Sequence, residues 1–236
     1  MTVTYQVLNI ASGGGSENLL INPRGKINQT NESDGVLSAG QYFCDGWKAG
    51  AAGAEVYRDA DGFRLISGSI LQLVPNNLDV GRTIKGNMDT VLGAPVIRIN
   101  GGTDSELSDD QPYITFEVFG NNSKFTRLIL SESEDLPIYK QSIDELTPCL
   151  PYLEIGYVTD TYFSELGSTH YQSVVTFLAY KANIPAISFV GAPSTIGLAG
   201  GWTPNNPRLD SFRFGGQCSQ GVNRTIEAKF IADARL

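Results

Sequence analysis

The chain contains a single histidine, His170, and this limits the chemistry open to it. A Ser-His-Asp or Cys-His arrangement would have to pass through that residue. A lone histidine more often serves structural hydrogen bonds. No Gly-X-Ser-X-Gly, His-Glu-X-X-His or Walker-type loop is present. The three cysteines, Cys44, Cys149 and Cys218, stand at unrelated spacings. Buried free thiols are the simplest reading of them, and zinc finds too few clustered soft ligands. Carboxylates are then the remaining candidates for catalysis. Glu132, Glu134 and Asp135 cluster after one apolar run, and Asp104, Glu106, Asp109 and Asp110 cluster in another loop. Glycoside hydrolysis needs two carboxyls about 5–10 Å apart across a cleft, and solvated loop charge is the simpler reading of both groups. Asp104, Glu106, Asp109 and Asp110 could also supply oxygens to a calcium ion, which takes about 6–8 of them, although their spacing matches no defined calcium loop.

Binding chemistry has a second candidate. Residues 191–210 are rich in Gly, Pro and Asn and read as a long connection without strand or helix pattern, and such connections are commonly functional. Within it Trp202 precedes Asn205 and Asn206. An indole face covers the apolar face of a sugar ring while amides bond its hydroxyls. Trp202 is either pinned to the domain beneath it or exposed to a partner.

These residues need a scaffold, and the composition indicates which kind. The chain has 236 residues, 26 of them Gly and 11 Pro, and a formal net charge of −8. Runs such as Glu55–Tyr57, Phe63–Ser67, Ser69–Val74, Val96–Ile99, Tyr113–Phe119 and Phe125–Leu130 are separated by turn signals about every ten residues, the pattern of a β-sandwich. Asp59-Ala60-Asp61-Gly62 is turn chemistry closing a hairpin. Tyr152–Val158 is expected to end this first series. Leu19–Ile21 and Ile27 are read as two short strands about the bend at Asn22-Pro23. Lys48–Gly53 is read as small and flexible, and a short helix is expected near Gln141–Leu146. Later strands are expected at Tyr171–Tyr180, Ala186–Val190, Ser211–Gly215 and Thr225–Ala234. In the last of these Ile226, Ala228, Phe230 and Ala232 share one face.

No Lys/Arg cluster offers a phosphate-tracking surface, so nucleic acid is not an expected partner. No apolar run reaches the roughly 18–20 residues of a membrane span, and no signal-peptide pattern opens the chain. These features fit synthesis in a reducing cytoplasm.

Two segments resemble a known family. Asn18-Leu19-Leu20-Ile21-Asn22, Ile27-Asn28-Gln29, Tyr42 and Asp45-Gly46-Trp47 together resemble the opening of a carbohydrate-binding-module-like jelly roll in phage tail proteins, whose pattern usually has Arg where Gly46 stands. Lys181, Pro185 and the ending Ala232-Asp233-Ala234-Arg235-Leu236 resemble the C-terminal domain of phage tail fibres, whose pattern usually has Glu where Arg235 stands. The resemblance implies an all-β chain in three parts: an N-terminal arm and Gly/Ser linker at 1–17, a jelly-roll sandwich at 18–160, and a smaller C-terminal β-sandwich at 161–236. It implies a virion protein, a homotrimer that meets other tail proteins and a host-surface glycan, with Trp47 in the core; the absence of nucleophile-base motifs and the single His170 lead to the expectation of no catalytic activity. Such jelly rolls often hold a structural calcium. A surface-polysaccharide hydrolase using acidic residues and a purely structural head fibre or connector are the alternatives.

Overall fold

The computed structural model describes residues 17–163, 170–192, 194–196, 198–218 and 223–236, and of residues 160–163, 170–171, 194–196, 198–202, 217–218 and 223–224 the backbone path alone. Apart from Glu17, the expected N-terminal arm lies outside the described residues. The fold is all-β, and among the described residues there is no α-helix.

Nine strands form one antiparallel sheet: β1 (Gly35–Leu37), β2 (Tyr42–Cys44), β3 (Trp47–Asp59), β4 (Gly62–Pro75), β5 (Thr83–Leu92), β6 (Val96–Ile99), β7 (Ser105–Leu107), β8 (Tyr113–Phe119) and β9 (Ser123–Glu132). The sheet forks at β4. Phe63–Leu65 of that strand pair with β9, whereas Ser69–Pro75 pair with β8. Where β3 runs beside β4 the register shifts between Ala49 and Ala54. Gly53 and Gly68 sit at this shift with φ of 79° and 86°, and a Cβ on Gly68 would lie 2.4 Å from the Gly53 carbonyl oxygen. The glycines let the two backbones approach while the strands bend. The forked sheet therefore encloses its own apolar face in a sandwich-like arrangement. Trp47 packs 5.4 Å from Phe63 and 6.1 Å from Phe116, and Phe63 lies 5.9 Å from Phe125.

The second half is smaller. β10 (Leu153–Phe163), β12 (Ala186–Phe189) and β13 (Ser194–Ile196) all pair with β16 (Asn223–Asp233). A separate sheet has the order β11 (His170–Thr176), β15 (Ser211–Cys218), β14 (Leu198–Asn205). Phe177, Phe212 and Phe230 join the two sheets, with Phe212 and Phe230 edge-to-face at 5.1 Å. Ile226, Ala228, Phe230 and Ala232 are all buried, as their alternation predicts.

Several expectations need correction. The strand expected to close the first series is β10, which pairs with β16 from Leu153↔Asp233 to Phe163↔Asn223, so it runs across position 160 and belongs to the second half. Leu19–Ile21 and Ile27 are not strands; the segment lies irregularly along β9, with Leu19 N–H donating to the Leu130 carbonyl. Lys48–Gly53 is part of β3, where Ala49 is buried opposite Ile70. No helix forms at Gln141–Leu146. Asp144 Oδ1 takes the amides of Leu146 and Thr147, and a single 3₁₀ turn follows at Thr147–Cys149. A short polar side chain that captures nearby amides competes with helix, and Pro148 adds no donor. Residues 191–210 are not a continuous loop, because β13 and β14 both fall within them. β14 is an edge strand, the place in a sheet where a proline such as Pro204 is tolerated.

Candidate functional site

Asn22, Ile27, Gln29, Asp45 and Trp47, five of the residues that carry the resemblance, meet in one knot. The tight turn Asp45-Gly46 joins β2 to β3 and sets Asp45 and Trp47 against the bend at Asn22. Asn22 Nδ2 donates to the carbonyls of Ile27 (2.8 Å) and Asp45 (3.0 Å), and its Oδ1 accepts from Ile27 N–H at 2.9 Å. Asn22 holds φ at 46°, a left-handed conformation that asparagine tolerates. The Trp47 indole N–H donates to the Asn22 carbonyl at 2.9 Å. Gln29 donates to both Asp45 oxygens, from its backbone at 2.9 Å and its side chain at 2.6 Å. Burial pushes the Asp45 carboxyl above its usual value, and the Gln29 bonds work against that rise. Each of these groups would be costly if left unpaired in the core, so together they fix the chain path and present nothing to a ligand. Trp47 is fully buried, a core residue and not a sugar platform.

The same segment braces β9. Asn18 bonds the Leu128 carbonyl and the Leu130 N–H, and Leu128 N–H donates to the Pro23 carbonyl at 3.2 Å. At this point β9 bulges: Met88 alone, between the pairs Asn87↔Ile129 and Asp89↔Thr126, stands opposite both Arg127 and Leu128. Leu128 is buried in the core, while Arg127 turns outward with φ of 53°. Among the described residues it is the only one besides glycine and asparagine with positive φ. Its guanidinium lies 3.0 Å from Asp89 Oδ2, and both side chains are about half exposed.

Above the bulge lies a depression of about 370 Å³ lined by Asn87, Asp89, Arg127, Ile138, Tyr139 and Gln141. A neighbouring one of about 450 Å³ runs along Glu17–Pro23 and shares Tyr139 and Gln141. Asn87 Nδ2 holds the rim by donating to the Pro137 carbonyl at 2.9 Å. Tyr139 Oη is buried and has no hydrogen-bond partner. Burial raises its pKa, against the pull of Arg24, while the charges of Glu145, Asp61 and Arg127 also act on it. Arg24 is a buried guanidinium that pairs with Glu145 and, at 3.2 Å, with Asp61. In the sequence Arg127 lies inside an ordinary strand pattern, and nothing there signals its bulge.

The sites expected from sequence are arranged differently. Glu106 Oε1 turns back to accept from Thr103 N–H at 2.7 Å, Asp109 accepts from Gln111 N–H, and Asp110 accepts from the Gln111 amide. Asp104 contributes its carbonyl to Gly86 N–H. Each of Glu106, Asp109 and Asp110 serves its own turn, and among the described residues no three His, Cys, Asp or Glu converge on a point that could hold a metal. Glu132 pairs with Arg82, and Glu134 accepts from Thr83 Oγ1 at 2.7 Å. Trp202 lies on β14 near a register shift, and its side chain is outside the described ones, as is that of His170. Asn205 ends the strand with Oδ1 buried and unpartnered, and Asn206 follows, exposed, at φ of 46°. Cys44 and Cys149 are buried free thiols, and Cys218 is described by its backbone alone.

No protein-family model, curated protein or solved structure matches the chain.

Proposed function

We propose that the chain is a phage tail-fibre or baseplate-associated protein that recognises a host-surface glycan. The observation that carries this reading is the knot. Asn22, Gln29, Asp45 and Trp47, which bear the resemblance to the jelly-roll module, are widely spaced in sequence yet hydrogen-bond one another within one buried cluster. That these four depend on one another physically makes their joint occurrence a stronger match than four scattered ones. The all-β architecture supports the reading, with the first half as the jelly roll and the second as the smaller sandwich. The exposed apolar residues Tyr157, Val174, Leu178, Tyr180 and Ile184 of the second half support a homotrimer that covers them.

The test uses fluorescently tagged full-length chain on a panel of bacterial cells, with soluble surface polysaccharide as competitor and a reducing-sugar assay alongside. Saturable binding that polysaccharide displaces, with no new reducing ends, is the expected result. Release of reducing sugar would make the chain a hydrolase. Binding to virion components but to no cell would make it a structural connector.

A further inference from the structure

We infer that the depression over the β9 bulge is a binding site for a neutral hexose unit, with Arg127 and Asp89 as its polar contacts and Tyr139 and Ile138 as its apolar wall. This rests on the glycan-recognition reading above and assigns that recognition to particular residues.

Three observations of different kinds coincide here. The first is strain. A long side chain at positive φ is unfavourable, and such residues persist where the surroundings impose them, often at ligand sites. Here Asn18 and Pro23 hold the bulge from beneath, so Arg127 is kept outward. The second is an unsatisfied group: Tyr139 Oη is buried without a partner at a residue that lines the depression. The third is space. A volume of about 370 Å³ lies within the range of small-molecule sites, about 300–1,000 Å³.

The chemistry selects the ligand. Arg127 and Asp89 neutralise each other, so the site offers no net charge to an anion or a cation. A guanidinium has five N–H donors and a carboxylate about four acceptor positions, and one contact between them leaves most of both free. Donors and acceptors side by side suit two neighbouring hydroxyls, each of which donates and accepts. Ile138 is largely exposed, and with the Tyr139 ring it offers an apolar surface to the C–H face of a pyranose. Gln141 adds a further amide at the boundary with the longer neighbouring depression, which gives a chain of sugars a direction in which to continue.

Arg127→Gly separates binding from folding, because glycine adopts the left-handed conformation freely and the substitution removes only the guanidinium arm. Full-length wild type, Arg127→Gly and Tyr139→Phe are to be compared on an array of neutral hexose oligosaccharides, with affinities for the best-bound one measured by titration. Arg127→Gly should weaken binding about ten-fold or more, since charge-assisted bonds are lost, and should melt no lower than wild type. Tyr139→Phe keeps the ring of the apolar wall, so it should bind within about two-fold of wild type and melt no lower, because a buried hydroxyl without a partner is removed. If wild type binds an oligosaccharide and Arg127→Gly binds it equally well, the site lies elsewhere and the glycan reading stands. If wild type binds cells only through a protein receptor and no oligosaccharide or polysaccharide, both the site and the glycan reading fall.

Discussion

The two halves of the chain bury polar groups in different ways. In the first half the knot is built mostly from amide and carbonyl groups and joins segments set apart in the sequence, Asn22 to Ile27, Gln29 to Asp45, and Trp47 to Asn22, and the same half also buries the Arg24–Glu145 ion pair. An aromatic cluster of Phe43, Phe63, Phe116 and Phe125 surrounds Trp47, and the core extends through all the longer strands. In the second half the buried polar element is an ion pair. Lys181 Nζ lies 2.5 Å from Glu154 Oε2, with both side chains almost wholly buried, and also donates to the Leu150 carbonyl at 2.6 Å. Its apolar core is a small group around Phe177, Phe212 and Phe230. The second half is also tied to the first. Arg235 pairs with Glu32 and lies over the Tyr42 ring, while Tyr42 and Lys48 donate to the Leu236 main-chain oxygen. The difference is one of self-sufficiency. A large core with its buried polar groups paired can hold its shape alone, whereas a small core around a charged pair leans on its neighbours.

Trp47→Ala should remove about 4 kcal/mol, the range for a large aromatic emptied from a core, and lower the melting temperature by about 10 °C for a chain of this length. A calorimetric scan that moves by only a degree or two would show that the knot does not hold the first half together. Lys181→Met should cost about 3–4 kcal/mol, because Glu154 is left buried without its cation. Lys181→Met with Glu154→Gln should recover most of it in the same scan, since the amide still accepts from Leu178 N–H. If the double variant is no more stable than the single, Lys181 acts through packing on Phe177, over which it sits.

A smaller effect sharpens the junction. Arg235→Ala should cost about 2 kcal/mol through loss of its bonds to Asp233 and Glu32. The pH dependence has a definite sign. Burial alone would raise the Asp233 carboxyl, but the hydrogen bonds and charge of Arg235 outweigh it and hold it below its usual value. A depressed carboxylate contributes stability that is complete above its unfolded pKa, about 4, and is lost as pH falls through the lower folded value. The melting gap between wild type and Arg235→Ala should therefore narrow below about pH 4. A gap that stays constant down to pH 2 would remove Asp233 from the junction.

Much of the strand content was legible because alternation survives in the sequence wherever one face is buried. β6, β8 and the face Ile226–Ala232 of β16 follow directly from it. The assignment of β10 was not legible, since its partner β16 lies far along the chain and alternation names a face, not a neighbour. β14 was hidden by its composition: glycines at a register shift and a proline on an open edge read as a loop. Gly46 and Arg235, the two departures from the resembled pattern, line the same small cavity beside Tyr42 and Gln72. Gly46 has φ of 80°, and a Cβ there would meet Ile21 at 2.7 Å, so a turn this tight explains the glycine without reference to any site. The depression over β9 was invisible for a different reason. A bulge moves one side chain out of alternation without altering the residue types around it.

The knot around Trp47 frames the first half, and the proposed recognition site lies apart from it, on the exposed face of β5 and β9. The most direct test measures melting temperature and polysaccharide affinity in parallel for Trp47→Phe and Arg127→Gly. A crossover is expected: Trp47→Phe melts several degrees lower yet binds like wild type at low temperature, and Arg127→Gly keeps its melting temperature and loses binding. Loss of binding in folded Trp47→Phe, together with full binding in Arg127→Gly, would contradict it.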